Sequence, residues 1–417
     1  MVDGLVRFLA ILLLLAGSAL PGGALSASFW DAQKKGANLF NETERAERFQ
    51  MASQIGLDFV RLAPNKWLNG RPEGQRGDFL LGPPDAYQGL IAPDLAYLRQ
   101  VLDWAEAAGQ KVVLTMLSLP CNRWRQHNDG VQQRAIWQSF DCQDQAVEFW
   151  VELVQGLHGH PALVGYNIKN EPSPERAGGP SSGGKLADWF SGDYASWQAS
   201  IAGSPADLNL FYRKAVAAIR AVDPDTPIIL DSGFFATPWA FKVLEPVDDA
   251  AVLYSFHMYE PYKFTNHRNK GKYRYPGRIP TGEAEDGEPL YWDRETMRDF
   301  LAPIRDWQAR HQIAANRILL GEFGVYRKNE GAETYLADII HLANEEGWHW
   351  AFYGFRESSW DGMDYELGSR QKLGRWDKVS ESWTGYYTQV EKGIAFPGLD
   401  FYHPNPLFDA ILAGLRE

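Results

Sequence analysis

The sequence predicts a single (β/α)8 barrel, an α/β TIM barrel with long loop insertions at its C-terminal face. Three observations carry that reading. Eight short apolar runs recur after residue 26, and segments of helical period separate several of them. Stretches rich in Gly, Pro and aromatic residues follow the C-terminal ends of the runs, where barrels carry their functional loops. No Pro/Ser linker and no internal repeat divides residues 27–417, so they read as one decorated domain.

The first 26 residues read as an export signal. Arg7 precedes the apolar run Phe8 to Ala16, and Ala24-Leu25-Ser26-Ala27 supplies small residues for cleavage. That run is too short to span a bilayer, and no later segment approaches the roughly 20 apolar residues a membrane helix needs. The expectation is a secreted or periplasmic protein with no integral membrane segment once the signal is removed.

The expected strands are residues 36–40, 58–63, 111–117, 163–169, 227–231, 251–259, 317–325 and 348–355. Leu95, Leu98, Val101, Leu102, Ala105 and Ala108 form one helical stripe, which Gly109 ends. Leu208, Phe211, Ala215, Ile219 and Val222 form another, separated from the fifth strand by the turn Asp223-Pro224-Asp225-Thr226-Pro227. About 390 residues would remain after cleavage, against roughly 250 for a bare barrel. The surplus falls in residues 64–92, 118–143, 173–206, 260–292 and 356–400.

Composition narrows the function classes. With 45% hydrophobic and 23% charged residues, the chain has enough apolar surface to bury, which excludes a disordered protein. A net charge of −12 repels phosphate backbones and excludes nucleic acid as a partner. The 16 Trp, 18 Tyr and 22 Phe fit either a large core or a cleft that stacks sugar rings. Cys121 and Cys142 are the two cysteines, and in an oxidising compartment they are expected to pair.

Chemistry concentrates at strand ends. The fourth strand runs into Asn170-Glu171-Pro172, and the seventh places Glu322 after the apolar run Ile318-Leu319-Leu320-Gly321. Two carboxyls thus face one barrel mouth. At about 5 Å apart, one can attack a sugar carbon while the other protonates the leaving oxygen. Arg61 is a charge inside the second strand, near its end, where a cation keeps a neighbouring carboxylate ionised. In Ser255-Phe256-His257-Met258-Tyr259, alternation turns His257 and Tyr259 to the same side. No metal is expected: His158 and His160 have no third ligand close in sequence, and Asp361, Asp364 and Glu366 read as loop acids. No glycine-rich phosphate loop precedes a helix, and no cofactor is expected.

On these residues the chain resembles glycoside hydrolase family 5, the cellulase-like group within the clan of retaining (β/α)8 glycosidases. The matching positions are Gly36-Ala37-Asn38-Leu39, Arg61, Asn170-Glu171-Pro172, His257-Met258-Tyr259 and Glu322. The resemblance implies Glu171 as acid/base, Glu322 as nucleophile, Asn170 at the sugar 2-hydroxyl, and Arg61 and Tyr259 orienting the nucleophile. It also implies an endo-acting, retaining β-glycosidase, a monomer acting on a polysaccharide or oligosaccharide, with a β-1,4-glucan leading and mannan, exopolysaccharide or glycolipid as alternatives. Two positions depart from the family. Met116-Leu117-Ser118-Leu119-Pro120 stands where a histidine usually ends strand three, and Tyr353-Gly354-Phe355-Arg356 where a tryptophan usually ends strand eight. Phe355 or Trp360 is the expected replacement platform for a sugar ring. The missing histidine leaves a competing reading, a noncatalytic polysaccharide-binding protein on a decayed hydrolase scaffold. Finally, the segment 260–278 sets Lys263, Arg268, Lys270, Lys272, Arg274 and Arg278 against Glu260; it reads as a solvated loop paired with acidic neighbours, or else as a cleft lining whose Tyr262, Phe264, Tyr273 and Tyr275 stack on sugar rings while its basic groups favour an anionic glycan.

Overall fold

The computed structural model describes residues 28–67, 79–83, 87–125, 128, 130–177, 194–281, 289–357, 362–368 and 404–417. The expected export signal, Trp360 and Asp361 lie outside the described residues.

Eight parallel strands close into a barrel: β1 (Lys35–Leu39), β2 (Phe59–Leu62), β3 (Lys111–Thr115), β4 (Leu163–Asn167), β5 (Ile228–Asp231), β6 (Val252–Met258), β9 (Ile318–Phe323) and β10 (His349–Phe352). The sequence prediction of eight barrel strands is matched one for one. Between β6 and β9, an antiparallel hairpin of β7 (Gly277–Pro280) and β8 (Pro289–Trp292) rises from the loop. The pattern of the sequence did not reveal it, because each of its strands is only 4 residues long and the second is mostly exposed. The principal helices are α1 (Ala46–Gln54), α2 (Ala92–Ala107), α3 (Phe140–Leu157), α4 (Leu208–Arg220), α5 (Arg294–Phe300), α6 (Ala302–His311), α7 (Ala332–Glu346) and α8 (Pro406–Arg416). The predicted stripes are real: Leu98, Val101, Leu102 and Ala105 of α2 and Leu208, Phe211, Ala215 and Ile219 of α4 are buried. Cap chemistry starts α3 and α4, where Ser139 accepts from the Cys142 amide and Asp207 from the Leu210 amide.

The barrel interior has two layers of opposite character. Below, Phe59, Val113, Val164, Ile229, Leu253, Leu319 and Ala351 pack into one apolar cluster that Trp30 closes, its indole donating to the Val164 carbonyl at 2.7 Å. Gly36 belongs to this level, since a Cβ there would lie 2.6 Å from the Phe59 carbonyl. Two residues further along the strands, in the same inward phase, the side chains turn polar: Asn38 after Gly36, Arg61 after Phe59, Thr115 after Val113, Asp231 after Ile229 and Ser255 after Leu253. A filled apolar floor therefore supports a polar layer at the barrel mouth. Outside the barrel, α8 packs on α7, and Lys35 reaches the Gly414 carbonyl at 2.9 Å. Among the described residues no helix is long and apolar enough to cross a membrane.

Candidate active site

Arg61 is the hub of the polar layer. It is fully buried, and its planar guanidinium matches acceptors on several strands at once. One nitrogen, Nη1, donates to Glu322 Oε1 at 3.0 Å and Asn38 Oδ1 at 2.6 Å. The other, Nη2, donates to Asn167 Oδ1 at 2.7 Å and Asn170 Oδ1 at 3.0 Å. One side chain thereby ties the acid on β9 to the amide beside Glu171.

Glu322 is 4% exposed, with both oxygens engaged: Tyr259 donates its phenol to Oε2 at 2.9 Å, opposite the Arg61 contact to Oε1. Glu171, just past β4, has φ 50, a left-handed backbone uncommon for a residue with a side chain. Its Oε1 lies 3.0 Å from His257 Nδ1, and His257 Nδ1 is 3.7 Å from Glu322 Oε2. Carboxyl oxygens of Glu171 and Glu322 and a ring nitrogen of His257 all fall within 4.8 Å of one another. The structure therefore gathers Arg61, Asn170, Glu171, His257, Tyr259 and Glu322 into one site.

Electrostatics follow from burial among charges. Burial raises the pKa of Glu322, against the pull of His257, Arg61 and the Tyr259 hydrogen bond. Arg61 and Tyr259 were expected to hold this carboxyl ionised; they act in that direction without cancelling the effect of desolvation. His257 shows the reverse balance: burial disfavours its charged form, but Glu322, Asp231 and Glu171 raise its pKa. Lys169, buried beside the motif, is pushed down to about 8 by burial, against the attraction of Glu171 and Asp231.

Asn170, Glu171, His257, Tyr259 and Glu322 open into a cavity of about 580 Å³. Aromatic residues from several loops line it, among them Phe40, Trp124, Phe235, Trp239, Tyr262 and Tyr353. The assignment of a sugar platform to Phe355 is corrected here. Strand β10 ends at Phe352, so Tyr353 is the residue at the mouth, whereas Phe355 is 1% exposed and packs into the core between barrel and helices. Near the absent strand-three histidine, Leu117 and Trp124 line the cavity instead.

The segment 260–278 divides between the two readings. Tyr262, His267 and Arg268 line the cavity, but Phe264 and Tyr275 are buried in the core. Lys270, Lys272 and Arg274 are exposed and do not line it, and Arg274 lies 3.5 Å from Glu330. Glu366, one of the loop acids, is held by Arg356 through contacts of 2.6 and 2.8 Å. Cys121 and Cys142 form a disulfide, as expected.

Sequence reasoning passed over Asp231, the buried end of β5. Its Oδ1 accepts from Asn167 at 3.0 Å and its Oδ2 from the Glu171 amide at 3.1 Å. A signal was present, since Ile228-Ile229-Leu230-Asp231 is a lone acid closing an apolar run, the pattern that singled out Glu322.

Comparison with known proteins places this geometry. A family model described as Cellulase (glycosyl hydrolase family 5) matches residues 28–359. The chain is 26% identical over 202 residues to a probable glucan 1,3-beta-glucosidase A of Aspergillus fumigatus, covering 48% of this chain and 39% of that protein. It is 20% identical over 295 residues to endoglucanase C of Acetivibrio thermocellus, covering 66% of this chain and 74% of that one. The first of these matches thus spans about two fifths of its relative's length. Among solved structures, a hyperthermophilic endo-beta-1,4-glucanase in complex with substrate aligns with a TM-score of 0.59 at 19% identity, over 93% of this chain and 99% of that one, a likeness of fold. With the matched segment running from ahead of β1 to beyond β10, the chain belongs to glycosyl hydrolase family 5.

Proposed function

We propose that this protein hydrolyses a β-glucan, foremost a β-1,4-linked one, with retention of anomeric configuration. The observation that carries the reading is the approach of Glu171 and Glu322 oxygens to within 4.8 Å, close to the spacing of retaining pairs and too short for a pair that must seat a water between them. Glu322 attacks the anomeric carbon while Glu171 donates a proton to the departing oxygen. Water then attacks the glycosyl enzyme with Glu171 as base. Arg61 and Tyr259 fix the two oxygens of Glu322, so its approach is set before substrate arrives. In this reading Asn170, held by Arg61, meets the sugar 2-hydroxyl.

The aromatic lining of the cavity supports a sugar chain as the ligand, and the relatives named for glucan hydrolysis support glucose as its unit. A binding protein has no need of an ion-paired carboxyl facing a second one at this distance, so the geometry favours turnover over passive binding. We further infer an endo-acting monomer that is exported. The signal-like first 26 residues and the Cys121–Cys142 disulfide both support an oxidising compartment.

Reducing-sugar release from a panel of β-glucans and mannans tests the substrate. Proton NMR of the earliest products tests the mechanism: the β-anomer must appear first. Early α-anomer would mean inversion and would overturn the assignment of Glu322 as nucleophile.

A further inference from the structure

Asp231 is buried at the end of β5 with no exposed surface, and its carboxyl points into the acid cluster. Three groups converge on it. The Glu171 amide donates to Oδ2 at 3.1 Å, the Asn167 side chain donates to Oδ1 at 3.0 Å, and His257 Nε2 lies 3.5 Å from Oδ2. On the other face of the same imidazole, Nδ1 is 3.0 Å from Glu171 Oε1. The atoms thus form a chain, Asp231 to His257 to Glu171, closed by a second link from Asp231 to the backbone of Glu171. The strand is anchored from α4 as well, because Tyr212 donates to the Asp231 carbonyl at 2.6 Å.

We propose that Asp231 is a positioning residue for the general acid: its carboxylate holds the left-handed backbone that aims Glu171, and keeps the proton of His257 on Nε2 so that Nδ1 faces the Glu171 carboxyl. The backbone half follows from the φ of 50 at Glu171, a conformation that needs an external hold, and the Asp231 contact supplies one at the Glu171 amide itself. The imidazole half follows from charge: Asp231 is the carboxylate on the Nε2 side, in ion-pair rather than hydrogen-bond contact at 3.5 Å, and it favours a proton on that nitrogen while Glu171 and Glu322 face Nδ1. When Glu171 gives up its proton to the leaving oxygen it becomes an anion next to His257. A ring protonated on both nitrogens, its charge offset by Asp231 on the Nε2 side, donates Nδ1–H to that anion and stabilises it.

The charged neighbours set the direction of the pH effect. His257 faces Glu171 from the loop after β4, Asp231 from β5 and Glu322 from β9. Arg61 of β2 and Tyr259 beyond β6 act on it through Glu322. Lys169 lies within electrostatic reach of both Glu171 and Asp231. Removing one negative charge from a site that shares protons makes each of them easier to lose. Asp231→Asn therefore moves the alkaline limb of activity to lower pH.

The inference rests on Glu171 being the acid of the proposed reaction, and the test separates the two claims. A series of aryl β-cellobiosides is used, from 2,4-dinitrophenol to unsubstituted phenol as leaving group, with kcat/KM reporting glycosylation alone. Glu171→Ala must lose activity steeply toward phenol; if it loses activity equally across the series, the acid assignment itself fails. Given that slope, Asp231→Asn is expected to lose about 10-fold or more on the phenyl substrate, under about 3-fold on the dinitrophenyl one, and to shift the alkaline limb down by at least about half a pH unit. Equal losses across the series, or an unmoved limb, would overturn the role of Asp231. Nitrogen-15 NMR of His257 in the unmodified protein covers the case in which the variant does not fold. Protonated Nε2 through the active pH range supports the proposal, and a neutral ring protonated only on Nδ1 overturns it.

Discussion

At the scale of single residues, Arg61 illustrates how little freedom the site leaves. It contacts Glu322 and Asn38 with one nitrogen and Asn167 and Asn170 with the other, a fork that a lysine ammonium cannot reproduce. Arg61→Lys is expected to lower kcat/KM on a glucan by roughly 100-fold, read by steady-state kinetics. Tyr353 and Phe355 divide two roles that the sequence merges. Tyr353→Ala should raise KM with the fold intact, because the ring lines the cavity. Phe355→Ala should instead cost about 3–5 kcal/mol in denaturant melts, because its ring is core. The reverse pattern would return the platform to Phe355. Arg61, Glu171 and Glu322 are legible in the sequence because a charge inside or ending an apolar run has few bland explanations. Asn38 and Asn167 are not, since amides in strands are unremarkable until the barrel closes and Arg61 reaches both.

At the scale of elements, the strands were readable because a parallel sheet buried on both faces leaves near-continuous apolar runs. Their expected ends ran one to several residues long, to Lys169 rather than Asn167 and to Phe355 rather than Phe352. That excess put Phe355 among the platform candidates, as apolar character continues past the last ladder bond into residues that pack in the core. The 260–278 segment divides for a related reason: Tyr262 lines the cavity, yet Tyr275 is tied by its hydroxyl to Asp338 at 2.8 Å within the core. The loop after β3 depends on a covalent link, since the Cys121–Cys142 bridge joins it to the first turn of α3 across a sequence separation of 21. Replacing both cysteines with serine should lower the unfolding free energy by about 3 kcal/mol. A calorimetric comparison with the disulfide-bonded protein checks it, and an unchanged melting temperature would show that the loop is held without the bond.

At the scale of the whole molecule, stability and chemistry draw on the same buried charges. Glu175, after β4, accepts from the Tyr194 hydroxyl and the Phe234 amide, and burial pushes its carboxyl up to about 7 from an ordinary 4.5. Between those values the folded chain keeps a proton that the unfolded chain has released, so stability falls as pH rises through the window. His257, also raised, acts in the same sense. The melting temperature should therefore decline from about pH 5 to about pH 8, and Glu175→Gln should remove part of that decline. A parallel slope in the variant would contradict the assignment. The central claim is that Glu322 attacks the sugar across a mouth it shares with Glu171. The most direct measurement is trapping with a 2-deoxy-2-fluoro β-cellobioside bearing a dinitrophenyl leaving group, followed by proteolysis and mass spectrometry. The account predicts one fluorosugar adduct on the peptide containing Glu322, absent in Glu322→Gln; an adduct on Glu171, or turnover with no covalent species while early product is the α-anomer, would contradict it.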